Sequence, residues 1–275
     1  MRLRLFAGAT ISAVAALTTA ATVASPATAA DTAKVSVLHG VPGLTVDVFA
    51  NGKELIPNFT PGSLAGPLSI PAGNYDIQVF KDGEGPGGTP AIEAKGLAVP
   101  GGANLTLTAN LDTSGKPALN AFKNDTSMLS AGMTRLTVRH VAAAPAVDVR
   151  AGGNVVISGL TNPNEKVLNL PAGNVNADVV LAGTSNVAIG PAALNLKAGA
   201  NTIVYAWGSA ADGNLKLATQ TISGLGGAPA GMPGGESGAA AITGSPSPLL
   251  IGGFGSAFLV LLFTARRRLA AHARS

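Results

Sequence analysis

Along most of the chain, apolar and polar residues alternate in short runs broken by glycine and proline. In Val35-Ser36-Val37-Leu38-His39, residues Val35, Val37 and His39 fall on one face. In Thr45-Val46-Asp47-Val48-Phe49, Val46 and Val48 fall on one face and Asp47 on the other. A two-residue period over runs this short predicts half-buried β-strands. Asn51-Gly52 tolerates positive φ and predicts a hairpin turn between strands. Further runs, Leu68 to Ile70, Tyr75 to Phe80, Ile92 to Val99 and Leu105 to Leu111, are separated by Pro71-Ala72-Gly73-Asn74, the Gly/Pro loop Asp82 to Pro90, and Pro100 to Asn104. No stretch of this body carries the 3.6-residue period of an amphipathic helix.

The pattern then repeats. His39 and Asp47 return as His140 and Asp148, an offset of 101 residues for both. Ile70-Pro71-Ala72-Gly73-Asn74 returns as Leu170-Pro171-Ala172-Gly173-Asn174 at an offset of 100, and Gly102 returns as Gly199 at 97. The offset slips only in loops, as expected of two copies that share a core and differ at the surface. About seven short strands per copy predict two tandem immunoglobulin-like β-sandwich modules, an all-β body. The expected division is residues 31–124 for the first module, 125–133 for a linker and 134–224 for the second module.

The motif of a His, then Pro-x-Val-Asp-Val, then Leu-Pro-Ala-Gly, then Ala-Gly-x-x-Thr resembles the bacterial domain-of-unknown-function family numbered 4397. The second copy carries it through His140, Ala144 to Val149, Leu170 to Gly173 and Ala198 to Thr202. The first copy departs by placing Gly43-Leu44-Thr45 between Pro42 and Val46. The resemblance implies exported or surface-attached β-sandwich domains, often in tandem, and lends no catalytic residue.

The two ends have a different chemistry. Arg2 and Arg4, an apolar stretch from Phe6 to Val23 and the small residues Ala27 to Ala30 have the three parts of a secretory signal, expected over residues 1–30. A Gly/Pro-rich spacer is expected over residues 225–248. The uncharged run 249–265 predicts a single transmembrane helix, and the basic tail 266–275 should stay cytoplasmic. This order resembles a Gram-positive cell-wall sorting signal, in which a sortase cuts between Thr and Gly. Ala241, Thr243 and Gly244 fit its actinobacterial form, while Ala240 stands where Leu is expected. Thr243-Gly244 is thus a candidate cleavage site that would join the chain to peptidoglycan. Retention in the membrane by the C-terminal helix is the alternative.

Charge follows the same division. Six of the 18 Lys and Arg lie in the two ends, leaving twelve against 14 Asp and Glu. The body is therefore slightly acidic, which argues against a nucleic-acid partner. The absence of cysteine removes disulfides, thiolate ligands and thiol nucleophiles together.

The sharpest chemical candidates are the pairs His39 with Asp47 and His140 with Asp148. They could serve as metal ligands or as base and orienter of a hydrolytic site. They could equally be structural, a His–carboxylate hydrogen bond pinning a corner of each sandwich. The structural role is the expectation, with no catalytic residue, no cofactor and no metal site. The loop Lys81 to Gly85 hints at Ca²⁺ but lacks the spacing of a calcium loop. Trp207, in phase with Tyr205 and Ile203, is expected in the core at its apolar end. The expected function is non-enzymatic: a cell-surface protein displaying two modules in a structural or adhesive role. Surface binding of a glycan, peptide or cation is an alternative, and a secreted hydrolase a further one.

Overall fold

A computed structural model describes residues 31–226, and every regular element in that span is a β-strand. The expected signal peptide, transmembrane helix, basic tail and Thr243-Gly244 site lie outside the described residues, as does nearly all of the spacer.

The first module contains β1 (Thr32–Gly40), β2 (Val46–Ala50), β3 (Lys53–Phe59), β4 (Leu64–Pro71), β5 (Gly73–Lys81), β6 (Ile92–Val99), β7 (Asn104–Leu111) and β8 (Pro117–Lys123). The second contains β9 (Met133–Ala143), β10 (Val147–Ala151), β11 (Asn154–Leu160), β12 (Glu165–Pro171), β13 (Gly173–Leu181), β14 (Val187–Leu196), β15 (Ala200–Ser209) and β16 (Lys216–Ser223). Each module pairs its strands into two four-stranded sheets. The orders are β4-β1-β7-β8 and β3-β2-β5-β6, repeated as β12-β9-β15-β16 and β11-β10-β13-β14. The two modules thus share one topology.

That topology departs from the immunoglobulin expectation in two ways. There are eight strands per module, and the first two strands lie in different sheets, whereas the immunoglobulin order places them together. At the centre of one sheet β1 runs parallel to β7, and in the second module β9 runs parallel to β15. The strand absent from the sequence reading of the first sheet is β8, and from the second β3. Both are edge strands, and β3 carries Lys53, Glu54 and Pro57. Charge and proline are the means by which edges resist pairing with another chain, and they also mask strand periodicity.

Alternation sets the first core. Ala33, Val35 and Val37 of β1, Val46 and Val48 of β2, Ile77 and Val79 of β5, and Leu105, Leu107 and Ala109 of β7 close over one another between the sheets. Leu136, Val138, Val147, Val149, Val179, Leu196 and Val204 do the same in the second module.

The opposite faces of β1 and β7, expected to meet solvent, are buried as well. Ser36, Leu38, Thr106, Thr108 and Asn110 are all at most 1% exposed. A third cluster explains this: Leu38 and Phe122 of the first module pack with Val141, Ile203, Tyr205 and Trp207 of the second. The sheets β4-β1-β7-β8 and β12-β9-β15-β16 therefore lie face to face, and residues 31–226 form four stacked sheets with three buried layers between them. Trp207, expected in the core, is buried in this layer between the modules.

The segment 125–132 is tied down at several points. Leu129 is buried and its N–H donates to Leu225 O at 2.6 Å. Arg135 donates to the carbonyls of Asp125 and Ser127, both at 3.1 Å. Its Nε also lies 3.2 Å from the Asp125 carboxylate.

Candidate functional site

The repeated His and Asp occupy equivalent places in the two modules, and the two side chains of a pair do not bond to each other. Each binds backbone instead. His39 Nε2–H donates to Leu44 O at 2.7 Å, and Nδ1 accepts from Val41 N–H at 3.4 Å. His140 Nε2–H donates to Pro145 O at 3.0 Å, and Nδ1 accepts from Ala142 N–H at 3.3 Å. Because a carbonyl can only accept, Nε2 carries the proton and the ring is neutral. Each imidazole thereby ties the end of its strand to the connection that leads into the next sheet. Burial holds both histidines below the ordinary imidazole pKa, opposed in part by the bond to the carbonyl.

The carboxylates brace the opposite side of the same corner. Asp47 accepts from Asn58 N–H at 2.8 Å and Gly83 N–H at 2.9 Å, one to each oxygen. Asp148 accepts from Gly159 N–H at 2.7 Å and Gly183 N–H at 2.9 Å. The donors sit where the chain bends back. Asn58 and Gly159 have φ of 50° and 62°, and Gly83 and Gly183 have φ of 80° and 72°. The register of β2 on β3 slips between Val46–Phe59 and Val48–Ile56, and β10 on β11 slips at the matching place. A bulge leaves a backbone N–H outside the ladder, and here the Asp receives it. In the first copy Asn58 adopts the left-handed conformation that the second copy assigns to glycine. Asparagine is among the few side-chain-bearing residues that tolerate it. The Gly183 and Gly159 N–H groups hold the Asp148 carboxyl below its ordinary pKa.

The expected structural role therefore takes a different form from the His–carboxylate bond. The two groups share a corner but serve separate strands, and each is bonded to main chain. No group of three or more His, Asp or Glu that could hold a metal occurs among the described residues. Gly83, in the loop read as a possible Ca²⁺ site, gives its N–H to Asp47.

The most elaborate polar cluster went unread in the sequence. Arg139 projects from β9 toward the first module and is 1% exposed. Its Nε bonds Glu165 at 2.7 Å, one terminal nitrogen donates to Tyr205 Oη at 2.8 Å, and the other donates to Asn124 Oδ1 at 2.9 Å. The guanidinium lies over the Phe122 ring, 4.5 Å from its centroid, a favourable cation–π geometry. Tyr205 Oη–H continues the network to Gln220 Oε1 at 2.5 Å. Thr106 Oγ1–H donates to the same oxygen at 3.0 Å, and Gln220 Nε2–H donates to Ser36 Oγ at 3.1 Å. Asn162 Nδ2–H joins Leu111 O and Ala142 O, one carbonyl from each module, at 2.8 and 2.7 Å. An arginine in an alternating strand reads as solvated. Nothing local reveals that its face is covered.

The fold and these corners define a class: a tandem protein of two closely similar all-β sheet pairs. Residues 33–150 match the family model described as a domain of unknown function (DUF4397). The match runs through all eight strands of the first module and on through β9 and most of β10, so it includes both His–Asp pairs. The second sheet pair repeats the first, which is consistent with a tandem repeat. No curated protein matches the chain.

Proposed function

We propose that this protein is a non-enzymatic component of a bacterial cell envelope, displaying its two modules outside the membrane in a structural or adhesive role. The single observation that carries this reading is the engagement of both nitrogens of each histidine and both oxygens of each aspartate with backbone. Groups spent on holding corners are not available to bind or activate a substrate. The buried seam between the modules supports the same reading, since a display element that bears load benefits from modules that do not hinge. At the level of sequence, the secretory pattern of residues 1–30 and the run 249–265 followed by three arginines support export and membrane attachment. Thr243-Gly244 extends the proposal to peptidoglycan linkage by a sortase.

Cell fractionation, followed by muramidase release and mass spectrometry of the C-terminal peptide, tests this. A chain ending at Thr243 and carrying peptidoglycan fragments is the expected result for wall linkage. An intact C-terminus in the membrane fraction would leave envelope display standing and remove the sortase step. Recovery in the cytosol with residues 1–30 still attached would overturn the proposal.

A further inference from the structure

The two sandwiches differ in how well they are filled. Between the sheets of the first module there remains a cavity of about 50 Å³. At the same place in the second module the cavity is about 280 Å³, and every side chain lining it is apolar. The cause lies in four paired positions, one of them Leu55 of β3, which is Val156 in β11. Where β5 places Tyr75 and Ile77, β13 has Val175 and Ala177, and where β7 places Leu107, β15 has Val204. Leu136 in place of Val35 and Leu196 in place of Val99 each return only one methylene of what is lost.

Empty apolar space of this kind costs stability, because the lining atoms lose their packing partners. Water gains little there, since the lining side chains are all apolar and offer it no hydrogen bonds. An engineered apolar cavity of about 150 Å³ stays dry and takes up benzene. The cavity here is larger, and it lies open to ligand. Val156, which lines it from β11, is 42% exposed, and its neighbour Val155 is 54% exposed. Val167 on β12 is 40% exposed. Val156 is the lining residue among these, and both β11 and β12 are edge strands of their sheets, so the cavity reaches solvent beside Val156; Val155 and Val167 alternate to the opposite faces.

We propose that the interior of the second sandwich is a binding site for a small hydrocarbon group. The buried part of its ligand carries no charge and no hydrogen-bonding atom, because no lining side chain can receive one. A free aromatic or aliphatic hydrocarbon and the acyl chain of a fatty acid share this chemistry. The first module, with the same fold and a filled interior, is a built-in control. The inference goes beyond envelope display and does not rest on it.

The test uses the full chain with ¹³C-labelled Val and Leu methyl groups, reconstituted in lipid nanodiscs and free of detergent whose alkyl tails would compete. Toluene and decanoic acid are titrated separately. The methyl resonances of Val175, Leu194 and Val204 are expected to shift saturably, and those of Val79 and Leu107 to stay in place. Saturation by toluene alone assigns the site to free hydrocarbons, and saturation by both extends it to acyl chains. Val175→Tyr with Ala177→Ile, which installs the residues of the first module, should abolish the shifts and raise Tm by a few degrees. Should that variant not fold, Tyr75→Val with Ile77→Ala must create a second saturable site that shifts Leu107. No saturable shift with either probe, shifts that persist in the filled variant, or no second site in the reciprocal variant would each overturn the proposal.

Discussion

His39 and His140 each hold one proton, on Nε2, and turn a lone pair on Nδ1 toward a backbone N–H. A second proton would set Nδ1–H against that N–H inside a buried corner, so the folded state resists charging. The folded pKa of both lies below the ordinary 6.5, chiefly through desolvation. Between those values the unfolded chain binds more protons than the native one, and stability rises with pH. Acidification below about 6.5 should therefore lower the urea midpoint progressively until the folded pKa values are passed. A separate loss should follow at lower pH. The Asp148 carboxyl, depressed below 3.8 by the Gly183 and Gly159 N–H groups, contributes stability above its unfolded pKa that is lost as pH falls through the folded one. Urea midpoints from pH 8 to 3 check both steps, and replacing both histidines with Gln should remove the upper step alone. At Asp47, substitution by Ala strands the Asn58 and Gly83 N–H groups and should cost about 1–3 kcal/mol of unfolding free energy.

At the scale of elements, the two central sheets illustrate how copies of one strand acquire different outer faces. Ser36, Leu38, Thr106 and Thr108 of β1 and β7 correspond to Thr137, Arg139, Ile203 and Tyr205 of β9 and β15. Small side chains on one sheet meet large ones on the other, and the two faces fit each other better than either would fit a copy of itself. Gly62 continues the rule from the loop before β4. A Cβ there would lie 2.7 Å from Trp207 Cζ2, and its φ of +82° disfavours a side chain independently. Removing a buried charge from such a face is expensive. Arg139→Ala should cost roughly 3 kcal/mol, the lower end for a buried pair because Glu165 keeps contact with water. A double-mutant cycle of Arg139→Ala with Asn124→Ala should give a coupling of about 0.5–3 kcal/mol, since the pair bonds directly across the seam. Additivity within error would show that the bond contributes nothing to joining the modules. The seam is not wholly satisfied: Trp207 Nε1–H is buried without a partner among the described residues.

For the body as a whole, four stacked sheets share three buried layers, and the middle layer belongs to both modules. Neither module can unfold without exposing Leu38 and Phe122 or Tyr205 and Trp207 of the other. Differential scanning calorimetry should therefore record one transition, with the calorimetric enthalpy equal to the van't Hoff enthalpy. Arg139→Ala should bring two transitions apart, with the second module, which holds the larger cavity, melting first. Two separate transitions in the unaltered protein would mean that the seam does not couple them.

The sequence by itself determined what depends on neighbours along the chain. A two-residue alternation fixed the strands that lie with one face in a core. Glycine, proline and asparagine placed the turns, and the His–Asp offset revealed the duplication. Those signals are local, because burial of one strand face leaves its mark on every second residue. Only the tertiary structure decided which sheet each strand joins, because β1 pairs with β4 and β7 through hydrogen bonds that no side-chain pattern encodes. It also decided that His39 and Asp47 face backbone rather than each other, since their partners lie up to 36 residues away. The burial of Ser36, Thr106, Thr108 and Arg139 was likewise decided by the fold, because polar residues look alike in sequence whether they meet water or another polar face. The cavity of the second sandwich is the sum of small volume differences on separate strands, and such sums appear only once the strands are brought together.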